Sequence, residues 1–285
     1  MKLSFSIVIP TFNRGYVIWK TIQSVQKQIY PNWELLIVDD GSTDNTRQIV
    51  AEFQKDPRIV YFYKNHEGAC IARNVGLKKS KGEFVVYLDS DDYFYENYLS
   101  TVLEYFQKNP KKIFAVSNYN RRVELYNSEF KLLDFTKASS SQKEEIKLQD
   151  FYYWNVRTTS SGLVHRKNIS KKIAWDPKVK RFQDWDFIMQ LGNLYPHGFL
   201  HIPQVLFEYS QKHGTNSIVS DSTYEDWAKA FELIYKKHKS DPLMRGQTWF
   251  PRKVEKHRKL QKEFEEGKAP PFKFKNFPKY FRRSK

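Results

Sequence analysis

From Leu3 to about Tyr119 the chain alternates short, apolar, β-branched runs with segments whose apolar residues recur at helical spacing, and that alternation leaves few folds open. SFSIVIP reads as a strand; Ile18, Ile22, Val25 and Ile29 then repeat every three or four residues; WELLIVDD is the next strand. A helix through Ile49, Val50 and Phe53 follows, then the strand RIVYFY, a helix from about Cys70 to Lys79, and the strand FVVYL. A helix near Glu96 to Gln107 and a strand around Phe114 to Ser117 close the regular part. Strands separated by helices pair in parallel, because the helix carries the chain back along the sheet. The expected class is α/β, with a Rossmann-like, mostly parallel central sheet flanked by helices.

Beyond Tyr119 the pattern weakens. KASSSQKEEIKLQ is polar and suits a loop, residues 150–220 resume mixed structure expected to cover the strand ends, and residues 224–238 place Trp227, Phe231, Ile234 and Tyr235 at helical core spacing. No internal repeat is visible. The 285 residues are 40% apolar and rich in Phe and Tyr, which argues against global disorder. Cys70 stands alone, so no internal disulfide forms and a reducing compartment is expected. The first strand begins almost at once, leaving no space for a signal peptide, and no apolar run approaches the roughly 20 residues of a membrane span. These features point to a cytoplasmic protein.

Two acidic clusters close apolar strands: Asp39 and Asp40 after ELLIV, and Asp89, Asp91 and Asp92 after FVVYL. Ligands of open parallel sheets bind outside the carboxyl ends of the strands, so both clusters are expected to face one ligand. DDGSTD alone also suits a turn with a helix cap, since Gly41 permits unusual dihedrals and Ser42 or Thr43 can cap. LDSDD concentrates like charge, and a hard divalent cation, Mn2+ or Mg2+, relieves that repulsion with oxygen ligands. The plainer alternative is a solvated acidic turn.

VIPTFNR, DDGSTD, EGACIARNVGL and YLDSDD stand in the order and approximate spacing of the inverting family 2 glycosyltransferases, and FQDWDF and HGTNS extend the likeness, so residues 3 to 220 resemble that family. The resemblance implies the GT-A fold with a helical, basic C-terminal extension. It divides the chain into a nucleotide-sugar-binding α/β half (residues 1–118), an acceptor-binding and catalytic half of the same domain (119–222), and the extension (223–285). It places Thr11, Asn13 and Arg14 of PTFNR, the pair Asp39 and Asp40, Arg73, Asp89 and Ser90 around a nucleotide sugar. Within that set Asp40 is the partner for the base, and Arg73 is a contact for base or phosphate.

Asp89 and Asp91 resemble the family's DXD element, with Asp91 on the metal and Asp89 on the ribose or bridging water. His213 resembles a position that approaches the metal or diphosphate; the usual neighbouring Tyr-Arg pair is here Tyr209-Ser210. Asp184 resembles the family's base in an ED-containing stretch, although Gln183 replaces the usual Glu. The implied activity is transfer of a sugar from a nucleotide diphosphate, UDP being favoured, to a saccharide or lipid-linked saccharide hydroxyl. Such a reaction needs an acceptor for the hydroxyl proton and neutralisation of the departing diphosphate. Asp186, two residues on, should point elsewhere, and Trp185 either meets the acceptor or joins the core.

The net charge of +16 is concentrated at the end: residues 236–285 hold 17 Lys/Arg and 5 Asp/Glu, or +12. APPFKFKNFPKYFRRSK interleaves cations with aromatic rings, which suits an anionic membrane surface on the inner face of the membrane, while nucleic acid is a weaker match and a docked or solvated tail the plain alternative. Rival readings fare worse. No GxxxxGK[ST] or GxGxxG follows the first strand, which disfavours P-loop nucleotidyl chemistry and a dinucleotide-dependent dehydrogenase. A noncatalytic sugar-nucleotide-binding or RNA-associated protein leaves the carboxylates unexplained.

Overall fold

All seven residues of β1 (Phe5–Thr11) are buried, as a strand covered on both faces must be. The computed structural model describes residues 4–126, 132–140, 144–153, 159–213, 223–245 and 248–268, with the side chains of 125–126, 132–140 and 211–213 outside that description. After β1 come α1 (Ile18–Gln26), β2 (Trp33–Asp39), α2 (Thr46–Phe53), β3 (Ile59–Tyr63), α3 (Ala69–Lys79) and β4 (Phe84–Tyr87). These strands lie in the order β3-β2-β1-β4 and are all parallel.

The second half supplies β5 (Tyr93–Phe94), α4 (Tyr98–Lys108), β6 (Phe114–Tyr126), β7 (Leu132–Ser140), α5 (Leu148–Tyr152), β8 (Val164–Arg166), α6 (Gln183–Leu194) and β9 (Phe199–His213). The sheet continues from β4 through β8, β6, β9 and β5, with β7 paired to β6. Here β6 and β9 are parallel and the remaining pairs antiparallel. Two helices follow, α7 (Tyr224–His238) and α8 (Trp249–Glu265). Among the described residues no helix is long and apolar enough to cross a membrane.

Strand side chains alternate between faces, and the core divides accordingly. Ile7, Ile9, Leu35, Ile37, Phe84 and Val86 pack with Ile18 and Ile22 of α1 and with Val102 and Phe106 of α4. Val8, Leu36, Val85 and Tyr87 face the other way, toward Cys70 and Leu77 of α3 and Phe187 and Ile188 of α6. The contact of α3 with β1 needs a glycine: a Cβ on Gly76 would stand 2.3 Å from Val8 Cγ1. The helices α7 and α8 share this second core through Trp227, Phe231, Ile234 and Phe250, and Tyr235 packs partly buried against it.

Three expectations are corrected. Helix α1 stops at Gln26, so Ile29 falls beyond it and is 68% exposed, its N–H donating to Glu96 O at 2.9 Å. The strand beginning at Phe114 runs on to Tyr126, across residue 118, because β9 and β7 flank it. Residues 137–140, expected in a loop, belong to β7; pairing with β6, rather than their own polar composition, sets that conformation.

Candidate active site

The floor of the site is the row of carboxyl ends of β1, β2 and β4. Thr11 and Asp39 are register partners, and Asp40 N donates to Thr11 O at 2.8 Å. Asp39 is fully buried; its Oδ1 accepts Ser42 N at 2.8 Å and its Oδ2 accepts Tyr61 OH at 2.6 Å. Gly41, at φ +85°, lets the chain turn there, and a Cβ on it would lie 2.9 Å from His66 N. Asp40 Oδ1 accepts Lys64 Nζ at 2.6 Å and Glu67 N at 3.0 Å, while Oδ2 accepts Gly68 N at 2.7 Å. Burial alone would raise this carboxyl, but Lys64 and the two amides outweigh it and hold it below its ordinary value.

PTFNR is pinned to that turn. Asn13, in the left-handed region at φ +50°, donates its N–H to Ser42 Oγ at 2.8 Å, and its Oδ1 accepts Thr43 N at 2.8 Å. Arg14 N donates to Thr46 Oγ1 at 2.9 Å, and Arg14 Nε lies 3.9 Å from Asp91 Oδ2, linking the first loop to the LDSDD segment. Thr11 Oγ1 is buried without a hydrogen-bond partner among the described residues.

In LDSDD the carboxylates differ by environment. Asp89 accepts Arg73 Nη2 at 2.7 Å on Oδ1 and Ser160 Oγ at 2.7 Å on Oδ2. Ser90 is buried. Asp91 is 23% exposed, whereas Asp92 is fully buried, with Oδ1 accepting Ser210 N at 2.8 Å and Oδ2 accepting Ser161 Oγ. Burial, then the charges of Asp91 and Asp89, push the Asp92 carboxyl well above its ordinary value. Asp92 therefore braces the segment against β9, while Arg73 faces Asp89 and Arg14 stands near Asp91. Among the described residues no three carboxylates, imidazoles or thiols stand close enough together to hold a metal ion, and Asp91 is a single hard oxygen donor of the kind Mn2+ or Mg2+ takes together with substrate phosphates.

Arg73 joins this floor to helix α6. It is buried, donates from Nη1 to Gln183 Oε1 at 2.9 Å and from Nη2 to Ser160 Oγ at 2.9 Å, and its guanidinium sits 4.7 Å over the Trp175 ring. The amide oxygen of Gln183 thus serves as the acceptor that a Glu carboxylate would offer. Asp184 follows it in the first turn of α6, partly accessible; burial pushes its carboxyl up to about 7, against the lowering pull of the Trp185 N–H and the Arg73 charge. A carboxyl titrating near neutrality is matched to proton abstraction.

The start of α6 is itself held under backbone strain. Phe182 adopts φ +59°, uncommon for a bulky side chain, and its ring packs 4.8 Å from Trp227 and 4.9 Å from Phe231 of α7. Asp186 points away from the site: buried, it meets His238 Nε2 and Lys237 Nζ at 2.8 Å each and accepts Gln190 Nε2 at 2.9 Å. Trp185 joins the core.

Thr11, Asn13, Arg14, Asp39, Asp40, Arg73, Asp89, Ser90, Asp91 and Asp184 thus belong to one connected site, through the strand ends and the contacts of Arg14 and Arg73. The side chain of His213, the last residue of β9, lies outside the described residues, as does the tail from 269 to 285. Sequence reasoning missed Ser160, Ser161, Lys64, His66 and Trp175. Each acts across the fold, and no local pattern marks it.

A mostly parallel sheet flanked by helices, with acidic turns at its strand ends, has the architecture of the GT-A fold. The sequence profile of glycosyl transferase family 2 matches residues 6–172, more than half of the chain, and the chain belongs to that family. It is 28% identical over 256 residues to the glycosyltransferase GlyG of Streptococcus pneumoniae, covering 86% of this chain and 83% of that protein. An uncharacterized glycosyltransferase of Rickettsia bellii is 40% identical over 116 residues, 41% of this chain, and the matched part spans only 17% of that protein's length. The Escherichia coli UDP-Glc:alpha-D-GlcNAc-diphosphoundecaprenol beta-1,3-glucosyltransferase WfgD is 45% identical over 105 residues, 36% of this chain and 41% of that protein. Among solved structures, S. aureus TarS 1-349 in complex with UDP-GlcNAc superposes with TM-score 0.69 at 20% identity, covering 99% of this chain and 77% of that one, a likeness of fold.

Proposed function

We propose that this chain transfers a sugar, with inversion, from a UDP-sugar to a hydroxyl of a saccharide or lipid-linked saccharide in bacterial polysaccharide or glycolipid assembly. The observation that carries the reading is the Arg73 bridge: one buried guanidinium ties Asp89, at the end of β4, to Gln183, beside Asp184. The activity for which WfgD is named and the UDP-GlcNAc bound by TarS support the choice of donor and acceptor class.

In this reading Thr11, Asp39, Asp40 and the PTFNR loop hold the nucleoside, Arg73 meets base or phosphate, and Asp89 and Ser90 face the ribose. Asp184 takes the proton of the acceptor hydroxyl as that oxygen attacks the anomeric carbon from the face opposite the diphosphate, which gives inversion. In the same reading Asp91, 23% exposed, would hold Mn2+ or Mg2+, with Asp89 and His213 as further candidate ligands. When bound, the cation neutralises charge on the departing diphosphate. Trp185, buried in the core, takes no part in acceptor binding.

Charge at the C-terminus supports a peripheral position on the inner, cytoplasmic face of the membrane. The exposed side of α8 carries Arg252, Lys256, Arg258, Lys259 and Lys262, continuous in sequence with the basic aromatic tail. A panel of UDP-, GDP- and dTDP-sugars, assayed for nucleotide release with and without Mn2+ and with a diphospholipid-linked saccharide acceptor, tests the function. Metal-dependent UDP release is expected; no turnover with any donor would favour a noncatalytic sugar-nucleotide-binding protein.

A further inference from the structure

We infer that the His66 imidazole occupies the place of the donor's nucleobase and must leave it when a uridine-type base enters. The inference rests on the reading that the donor nucleoside lies at the ends of β1 and β2. His66 Nδ1 stands 2.9 Å from Asp40 Oδ2 and 3.0 Å from the Asp40 carbonyl oxygen. Both neighbours only accept, so Nδ1 carries the proton and donates. The ring lies on Phe12 with centroids 4.3 Å apart and planes inclined by 33°. A flat, unsaturated ring stacked on an aromatic side chain, with its N–H on a buried carboxylate, reproduces the two contacts that the imide edge and face of uracil would make there.

Asp40 decides which partner yields. Its carboxylate accepts Lys64 Nζ and Glu67 N on Oδ1, and Gly68 N and His66 Nδ1 on Oδ2, which fills the roughly four acceptor positions of a carboxylate. A base N–H finds no free acceptor until one of the four departs. Two are backbone amides fixed by the start of α3, and the Lys64 side chain is only 14% exposed, whereas that of His66 is 58% exposed. Phe12 stays behind as the platform, since its loop is pinned through Asn13 to Ser42 and Thr43. His66 therefore competes with the base, and a base without a ring N–H to offer Asp40 could not replace what His66 gives up.

Calorimetric titration of the full chain with UDP, uridine and inorganic pyrophosphate, for wild type and His66→Ala, tests this. Removing one net hydrogen bond from the competing state tightens UDP and uridine by the same factor, about threefold to tenfold, and leaves pyrophosphate unchanged. In parallel, 15N-histidine NMR of the wild type should show the His66 Nδ1 signal losing its hydrogen-bonded shift as uridine is added. Unchanged or weaker uridine binding by His66→Ala, in a chain whose wild type binds UDP and uridine, overturns the His66 inference alone. Failure of the wild type to bind UDP or uridine overturns the donor reading, and this inference with it.

Discussion

Arg73 Nη1 donates to Gln183 Oε1 at 2.9 Å, joining residues 110 positions apart in the chain. Through its other nitrogen the same guanidinium holds Asp89 at 2.7 Å, so a single buried cation fixes the spacing between the strand-end carboxylates and the helix that carries Asp184. Gln183 is a neutral acceptor, which leaves the Arg73 charge opposed by Asp89 and free to lower the Asp184 carboxyl against the larger effect of burial.

Arg73→Ala should damage stability and chemistry together. Stranding a partly buried Asp89 without its cation costs about 3 kcal/mol, readable by urea denaturation. With the lowering influence of Arg73 gone, the half-maximal pH of transfer moves upward, and a pH series of initial rates reports the shift.

The pH dependence of activity and that of stability should run in opposite directions. As a base Asp184 must be ionised, so kcat/KM climbs to a half-maximum at about pH 7 and levels above it. For stability the folded carboxyl keeps its proton to higher pH than the unfolded one, so its favourable contribution is complete below about pH 4 and lost as pH rises through about 7. Asp184→Asn should therefore match the wild type at pH 4 and exceed it at pH 8, on the order of 2 kcal/mol after allowance for solvent at the carboxyl.

Asp186 carries a different burden from its neighbour. Its carboxylate ties α6 to the end of α7 through His238 and Lys237, and Lys237 also reaches Asp176 at 2.9 Å. Asp186→Ala leaves the buried His238 ring nitrogen without its partner and takes one of two carboxylates from Lys237, and should lower stability by about 1–3 kcal/mol in chemical denaturation. The half-maximal pH of transfer by the folded fraction should remain near 7, because the Asp186 carboxylate is engaged with α7, away from the Asp184 carboxyl.

Legibility in the sequence followed how local each cause was. Strands β1 to β4 were readable because each is an apolar run between helical segments, and Asp39, Asp40, Asp89 and Asp91 were readable because strand-end position is itself local. Ser160 and Ser161 reach Asp89 and Asp92 across 71 and 69 residues from a segment without periodicity, so nothing nearby announced them. β7 was hidden for a related reason: its polar residues take strand form from pairing with β6. Ile29 followed the helical rhythm of α1 by coincidence of spacing, beyond the point where the helix ends. Lys64 and His66 sit in a turn whose importance comes only from Asp40 folding back on it.

Donor binding and transfer measured side by side in Asp184→Asn bear most directly on the division of labour between the strand ends and α6. UDP affinity by calorimetry should stay within about twofold of wild type, while transfer from the UDP-sugar falls by at least about 100-fold, the range expected when a general base is removed. Undiminished turnover in Asp184→Asn would contradict the assignment of the proton acceptor and, with it, the joining of the two halves into one catalytic site.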